Sequence, residues 1–117
     1  MKILFVDDMK DPMWYDLEGV AVARTVKRAV QMWKKGDYDT LYLDYDMGLG
    51  KNGLDVLREC IAIRKPNLVC MITWNFAGRH MMKGECDQHG IPHEDTLPVN
   101  RPVKNESGTV YVVGKPN

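Results

Sequence analysis

Acidic and small polar residues recur directly after short apolar runs in this chain. Asp7-Asp8 follow residues 3–6, Asp44-Tyr45-Asp46 follow residues 40–43, and Thr73-Trp74-Asn75 follow residues 68–72. If those runs are neighbouring parallel strands, their ends lie about 5 Å apart. Carboxylates carried there can share one cation. Aspartate oxygens suit Mg²⁺, which keeps several waters and takes one or two carboxylates plus a phosphate; Mn²⁺ is the other metal expected. Without a cation or an opposing base, packed carboxylates repel and one is driven toward protonation. Asp7, Asp8 and Asp44 are therefore the expected metal ligands, and Asp44, Asp46, Thr73 and Asn75 the expected catalytic group. Tyr45, Trp74, Arg79 and His80 are the expected ligand-binding residues. Arg79 would clamp a phosphate bidentately, His80 would donate a proton, and Trp74 would stack on a base. Against this stands the ordinary use of Asp after a strand as a turn former or helix cap, which fits Asp46 best.

The elements that must position these residues follow from the apolar pattern. Residues 3–6, 20–23, 40–43 and 68–72 read as short strands, with a fifth expected at 96–99 and a late edge strand at 109–113. Thr25 offers an N-cap for a helix through Val26, Ala29, Val30 and Trp33, ended by Gly36. A second helix runs through Leu54, Leu57, Cys60 and Ile61 and breaks at Pro66, and a third is expected over 78–89. Residues 9–18 read as a loop with a helical turn. Alternating strands and helices favour parallel βαβ units, with helices on both faces. The expectation is an α/β three-layer sandwich around a mostly parallel five-stranded sheet, one domain over 1–117, with a core to about 103 and an extension over 104–117. Ligands of such sheets bind beyond the carboxyl ends of the strands, where the polar residues fall. The segment Gly48-Leu49-Gly50-Lys51-Asn52-Gly53 opens a helix and offers N–H groups to phosphate. Its spacing is neither of the Walker nor of the Rossmann type, and a plain turn explains it equally well.

Bulk properties narrow the partners. The chain has 117 residues with 16 basic and 16 acidic side chains. Zero formal charge argues against general DNA binding or a polybasic membrane contact. No apolar run is long enough to span a bilayer, and an N-terminus reaching Asp7-Asp8 at once lacks a signal peptide's apolar length. Three cysteines without an export signal point to reduced thiols in the cytoplasm. Cys60 and Cys70 read as core and Cys86 as a loop residue. Cys86, His89 and His93 lack a fourth ligand for zinc. Trp14, Trp33, Met81 and Met82 read as core or pocket wall. A homo-oligomer is compatible with all of this.

The same residues resemble the receiver domain of two-component response regulators. Asp7-Asp8 resemble its acidic pair, Asp44 its phosphoacceptor, and Thr73 its hydroxyl residue. Met47, Gly53 and Leu57 echo its downstream pattern, and Arg101-Pro102 stand where that family has Lys-Pro. A closer resemblance is to the cyclic-phosphate processing receiver domain, a family of bacteria and phages. It is carried by Asp7-Asp8 through Pro12, Ala23-Arg24-Thr25, Leu43 to Gly48, and Thr73 to Met82, with Asn75, Gly78 and Met82 the most specific spacing. That family has His where this chain has Tyr45 and His where it has Ile72. The resemblance implies processing of cyclic phosphates on nucleotides or RNA ends; one reading is a Mg²⁺- or Mn²⁺-dependent phosphoesterase, in which Tyr45 or His80 would stand in for the missing histidine proton donors. Two other readings remain: a protein, of phage type, that sequesters a nucleotide signal without turnover, and a stand-alone receiver phosphorylated on Asp44.

Overall fold

The computed structural model describes residues 1–48, 50–104, 107–108 and 110–113. Four apolar runs become strands β1 (Ile3–Val6), β2 (Ala21–Ala23), β3 (Thr40–Leu43) and β4 (Leu68–Met71), with helices α1 (Val26–Lys35), α2 (Gly53–Ile63) and α3 (Phe76–Gln88) between and after them. A fifth strand, β5 (His93–Asp95), completes one sheet of order β2-β1-β3-β4-β5. All four pairings are parallel. The helix starts follow local chemistry. Thr25 accepts from the Arg28 N–H, and Asn52 with Asp55 forms a reciprocal capping box.

The register decides what meets at the sheet's end. Val6 lies opposite Leu43 and Leu43 opposite Met71. Backbone bonds continue the pattern one residue further, from Asp44 N to Val6 O at 3.0 Å and from Ile72 N to Leu43 O at 3.1 Å. Asp7, Asp44 and Ile72 thus stand side by side.

The two faces of the sheet are covered unequally. Leu4, Val6, Leu41, Leu43, Val69 and Met71 form the main core with all three helices. Phe5 and Ile72, on the other face, pack with Tyr15 of a 3-10 helix (Pro12–Tyr15) and with flanking Trp14, Leu17 and Val20. Among the described residues, this third layer is therefore a loop with one short turn and carries no α-helix. The β1–β2 connection forms only the 3-10 helix there.

Three expectations shift. The fifth strand is His93–Asp95 rather than 96–99. It pairs through backbone bonds, Val69 N to Pro92 O and Thr96 N to Met71 O, with buried Ile91 anchoring its start, so its side chains show no apolar pattern. The late strand β7 (Val110–Val113) does not extend the sheet but pairs antiparallel with β6 (Arg101–Lys104) in a separate hairpin. Arg101-Pro102 thus lie in that hairpin, and residues 105, 106, 109 and 114–117 lie outside the described residues. Cys86 is not a loop residue. It is fully buried on α3 with Gly78 and Met82, and burial pushes its thiol up to about 12. Cys60 and Cys70 are buried as expected. Trp33 and Met82 are core, Trp14 flanks the second core, and Met81 is exposed.

Trp33 is the largest fully buried side chain, and its indole N–H donates to Arg64 O at 2.9 Å. Trp33→Ala is expected to cost about 3–5 kcal/mol, measured by urea denaturation. A loss under 1 kcal/mol would contradict this packing.

Candidate metal and phosphate site

Asp7, Asp8 and Asp44 each present a carboxylate oxygen, and these oxygens lie within 4.8 Å of one another. Asp7 and Asp44 are buried, and Asp8 is the most open of the three. Asp7 Oδ1 accepts the N–H groups of Met9 and Lys10, both at 2.8 Å, which closes a turn after β1. Its Oδ2 is buried and receives no hydrogen bond. A buried carboxylate oxygen without a hydrogen bond is costly, and this one has only the Lys10 ammonium at 3.3 Å as an ionic partner. The three carboxylates are a hard-oxygen donor set that fits Mg²⁺ or Mn²⁺.

Burial lifts the Asp44 carboxyl from 3.8 to about 6, and the neighbouring Asp7 charge adds to the rise. Lys10, the Thr73 hydroxyl and the Tyr45 N–H act in the opposite direction. Thr73 is fully buried against Asp44, and its Oγ also accepts the Asn75 N–H at 3.1 Å. Asn75 caps α3 through Gly78 N at 2.9 Å and reaches Asp46 with its amide at 3.3 Å. Asp46, exposed, thus joins the glycine loop to α3 rather than the carboxylate cluster.

Tyr45 sits where its ring lies flat on the first turn of α3. A Cβ on Gly78 would fall 2.0 Å from that ring, so only glycine permits the contact. Its hydroxyl accepts from the Asn52 amide at 3.2 Å. Gly53 has a parallel role, because a Cβ there would meet Asp44 O at 2.0 Å and Met82 Sδ at 2.9 Å. Beside the acids opens a groove of about 410 Å³ lined by Tyr45, Asp46, Gly48, Lys51, Asn52 and Asn75. Gly48 and Gly50 turn the loop with φ of 71° and 76°.

Arg79 does not point at the carboxylates. Its guanidinium donates to Thr73 O and pairs with Asp95 at 3.7 Å, tying α3 to the ends of β4 and β5. His80 is exposed on α3. His89 and His93 pair with Glu85 and Asp87. Trp74, 53% exposed, stands at the rim.

Two site residues escaped the sequence reading. Lys10 Nζ lies 3.3 Å from Asp7 Oδ2 and 3.6 Å from Asp44 Oδ1, donates to Ile72 O at 3.1 Å, and sits 4.9 Å from the Trp74 ring centre. Arg24 holds the carbonyls of Asp7 and Lys10. Neither carried a local signal: Lys10 is placed by the turn that Asp7 closes, and Arg24 reaches that turn from beyond β2.

Residues 2–88 match the family model described as the cyclic-phosphate processing receiver domain. No curated protein matches the chain. Among solved structures, the chain is similar to the N-terminal domain of a response regulator/sensory box/GGDEF three-domain protein from Carboxydothermus hydrogenoformans. The TM-score is 0.61 at 21% identity, over 83% of this chain and 80% of that one, which shows the fold alone. It is also similar to a fusion carrying a yeast Spc42 trimeric coiled-coil segment, with a TM-score of 0.58 and 25% identity. That match covers 71% of this chain and 62% of the other. Among the described residues, no helix is long and apolar enough to cross a membrane.

The raised Asp44 carboxyl sets a pH dependence. The fold favours protonated Asp44, so this contribution to stability is full below about pH 4 and is lost as pH rises through about 6. In metal-free protein, Asp44→Asn should match the wild type at pH 4 and exceed it by roughly 1–3 kcal/mol at pH 8. Paired denaturation curves across this range check it, and a constant difference would refute the assignment.

Proposed function

Because the chain belongs to the cyclic-phosphate processing receiver domain family, we propose that Asp7, Asp8 and Asp44 hold one divalent cation, Mg²⁺ or Mn²⁺, and that the site takes a cyclic or nucleotide-type phosphate ligand. The observation that carries this reading is the convergence of one carboxylate oxygen from each of Asp7, Asp8 and Asp44 within 4.8 Å, at a residue, Asp7, that also has a buried oxygen receiving no hydrogen bond. A divalent cation would neutralise these charges and polarise a phosphoryl group.

The chain's own residues supply the rest. The groove beside the acids offers space for a nucleoside, with Tyr45 and Asn52 fixed to each other on one wall and Lys51 on the loop. Trp74 gives an exposed aromatic surface at the rim, suited to a base. Of the family's two histidine positions, one is Ile72, fully buried with Phe5 and Tyr15, and the other is Tyr45. None of the three histidines bonds to the acidic group. These substitutions favour capture of the ligand over rapid hydrolysis.

Calorimetry with Mg²⁺ and a panel of cyclic nucleotides and cyclic-phosphate RNA ends tests the proposal. The expected result is Mg²⁺-dependent binding of at least one ligand, abolished in Asp44→Asn, with chromatography of the recovered ligand separating capture from ring opening. Absence of both Mg²⁺ uptake and ligand retention would reject it.

A second reading gains from Lys10 and Thr73, which flank Asp44 with an ammonium and a hydroxyl. Both would stabilise a phosphoryl group carried by Asp44 itself. Under this reading, incubation with acetyl phosphate and Mg²⁺ should give a base-labile adduct on Asp44 by mass spectrometry. An unmodified Asp44 at high donor concentration removes it.

A further inference from the structure

The acids at the sheet's edge already have a cation of their own. Lys10 reaches between Asp7 and Asp44 with a side chain only 12% exposed. Its distances to the two carboxylates, 3.3 and 3.6 Å, make these contacts chiefly Coulombic, and its shortest polar contact is the hydrogen bond to Ile72 O at 3.1 Å. Two of the three ammonium protons are left over from that bond. The indole of Trp74 lies against the same ammonium, an attraction that persists whatever happens to the acids.

The backbone beneath Lys10 is fixed from both sides. Asp7 Oδ1 holds the N–H groups of Met9 and Lys10, and Arg24 holds the carbonyls of Asp7 and Lys10. The base of the side chain is therefore anchored, while its four-carbon stem leaves the charge free to shift by a few ångströms. Three acids and one lysine at one point leave a surplus of negative charge, yet the lysine occupies the space between two of the carboxylates.

We propose that Lys10 is the phosphoryl-binding cation of this site and that a divalent metal releases it for that task. The inference rests on the reading of Asp7, Asp8 and Asp44 as metal ligands. In the metal-free protein Lys10 balances Asp7 and Asp44 and competes with the metal for them. Once a metal neutralises the carboxylates, the ammonium loses its hold there and turns to a phosphate oxygen, guided by Trp74. Metal and phosphate thereby strengthen each other's binding. Linkage requires the coupling to be the same measured from either ligand.

The test titrates MgCl₂ alone, and then inorganic phosphate at saturating Mg²⁺, into the wild type, Lys10→Met and Lys10→Arg, followed by calorimetry and phosphorus NMR. Lys10→Met keeps the apolar stem and removes the charge. It should bind Mg²⁺ roughly tenfold more tightly and phosphate roughly tenfold more weakly, within the usual range of coupling between sites. Lys10→Arg should retain phosphate binding, and melting curves with and without Mg²⁺ confirm that each variant is folded. Equal or weaker Mg²⁺ binding by folded Lys10→Met overturns the role of Lys10 and leaves the metal site standing, as does unchanged phosphate affinity. A wild type that binds Mg²⁺ but no phosphate also overturns it. A wild type that binds no Mg²⁺ overturns the metal reading, and this inference falls with it.

Discussion

Mutual repulsion among carboxylates crowded at one rim of the sheet is the constraint around which this domain is organised. Parallel pairing in fixed register brings Asp7 and Asp44 together whenever the sheet forms, because each directly follows a strand whose last residues are aligned. The fold cannot separate them without breaking the sheet. It meets the charge by protonation pressure on Asp44 and by bringing Lys10 inward. Neither answer is complete, since Asp7 Oδ2 still lacks a donor. A group of this kind would be relieved by a ligand carrying positive charge, which is the ground of the proposed metal site.

Glycines and caps give that machinery its precision. Gly53 lets α2 start against the carbonyl of Asp44, and Gly78 lets α3 start against the ring of Tyr45. Asn75 and Asn52 then lock the two helix starts with side-chain bonds. The walls of the groove are thus helix N-termini pressed onto the loop after β3, with almost no room for another side chain.

Much of this was legible in the sequence, for a physical reason. Each of β1, β3 and β4 is an apolar run whose end is marked by the change to Asp or Thr, and parallel pairing carries that mark into space. Gly78, Met82 and Cys86 fall four residues apart, which on a helix is one face, so the burial of Cys86 could have been read despite its polar neighbours. β5 could not, since a His-Glu-Asp edge strand is held by backbone bonds and by ion pairs of Asp95 and His93 with α3, and shows no apolar alternation. Lys10 was hidden because its place depends on a turn closed by Asp7 and on Arg24 from beyond β2. A distant arginine gripping carbonyls leaves no local pattern.

The thin layer over the second face of the sheet has a consequence of its own. The segment that shields Phe5 and Ile72 there is the same stretch that begins with Lys10 and runs through the short helix to Tyr15. Val99 and Asn100 fasten to it through Trp14 O. Any opening of this flap uncovers apolar surface and withdraws the ammonium from the acids in one motion. Insertions between β1 and β2 should therefore be tolerated far less well than insertions in the turn between α1 and β3, and deuterium uptake along residues 9–20 should rise and fall as one block with the occupancy of the site.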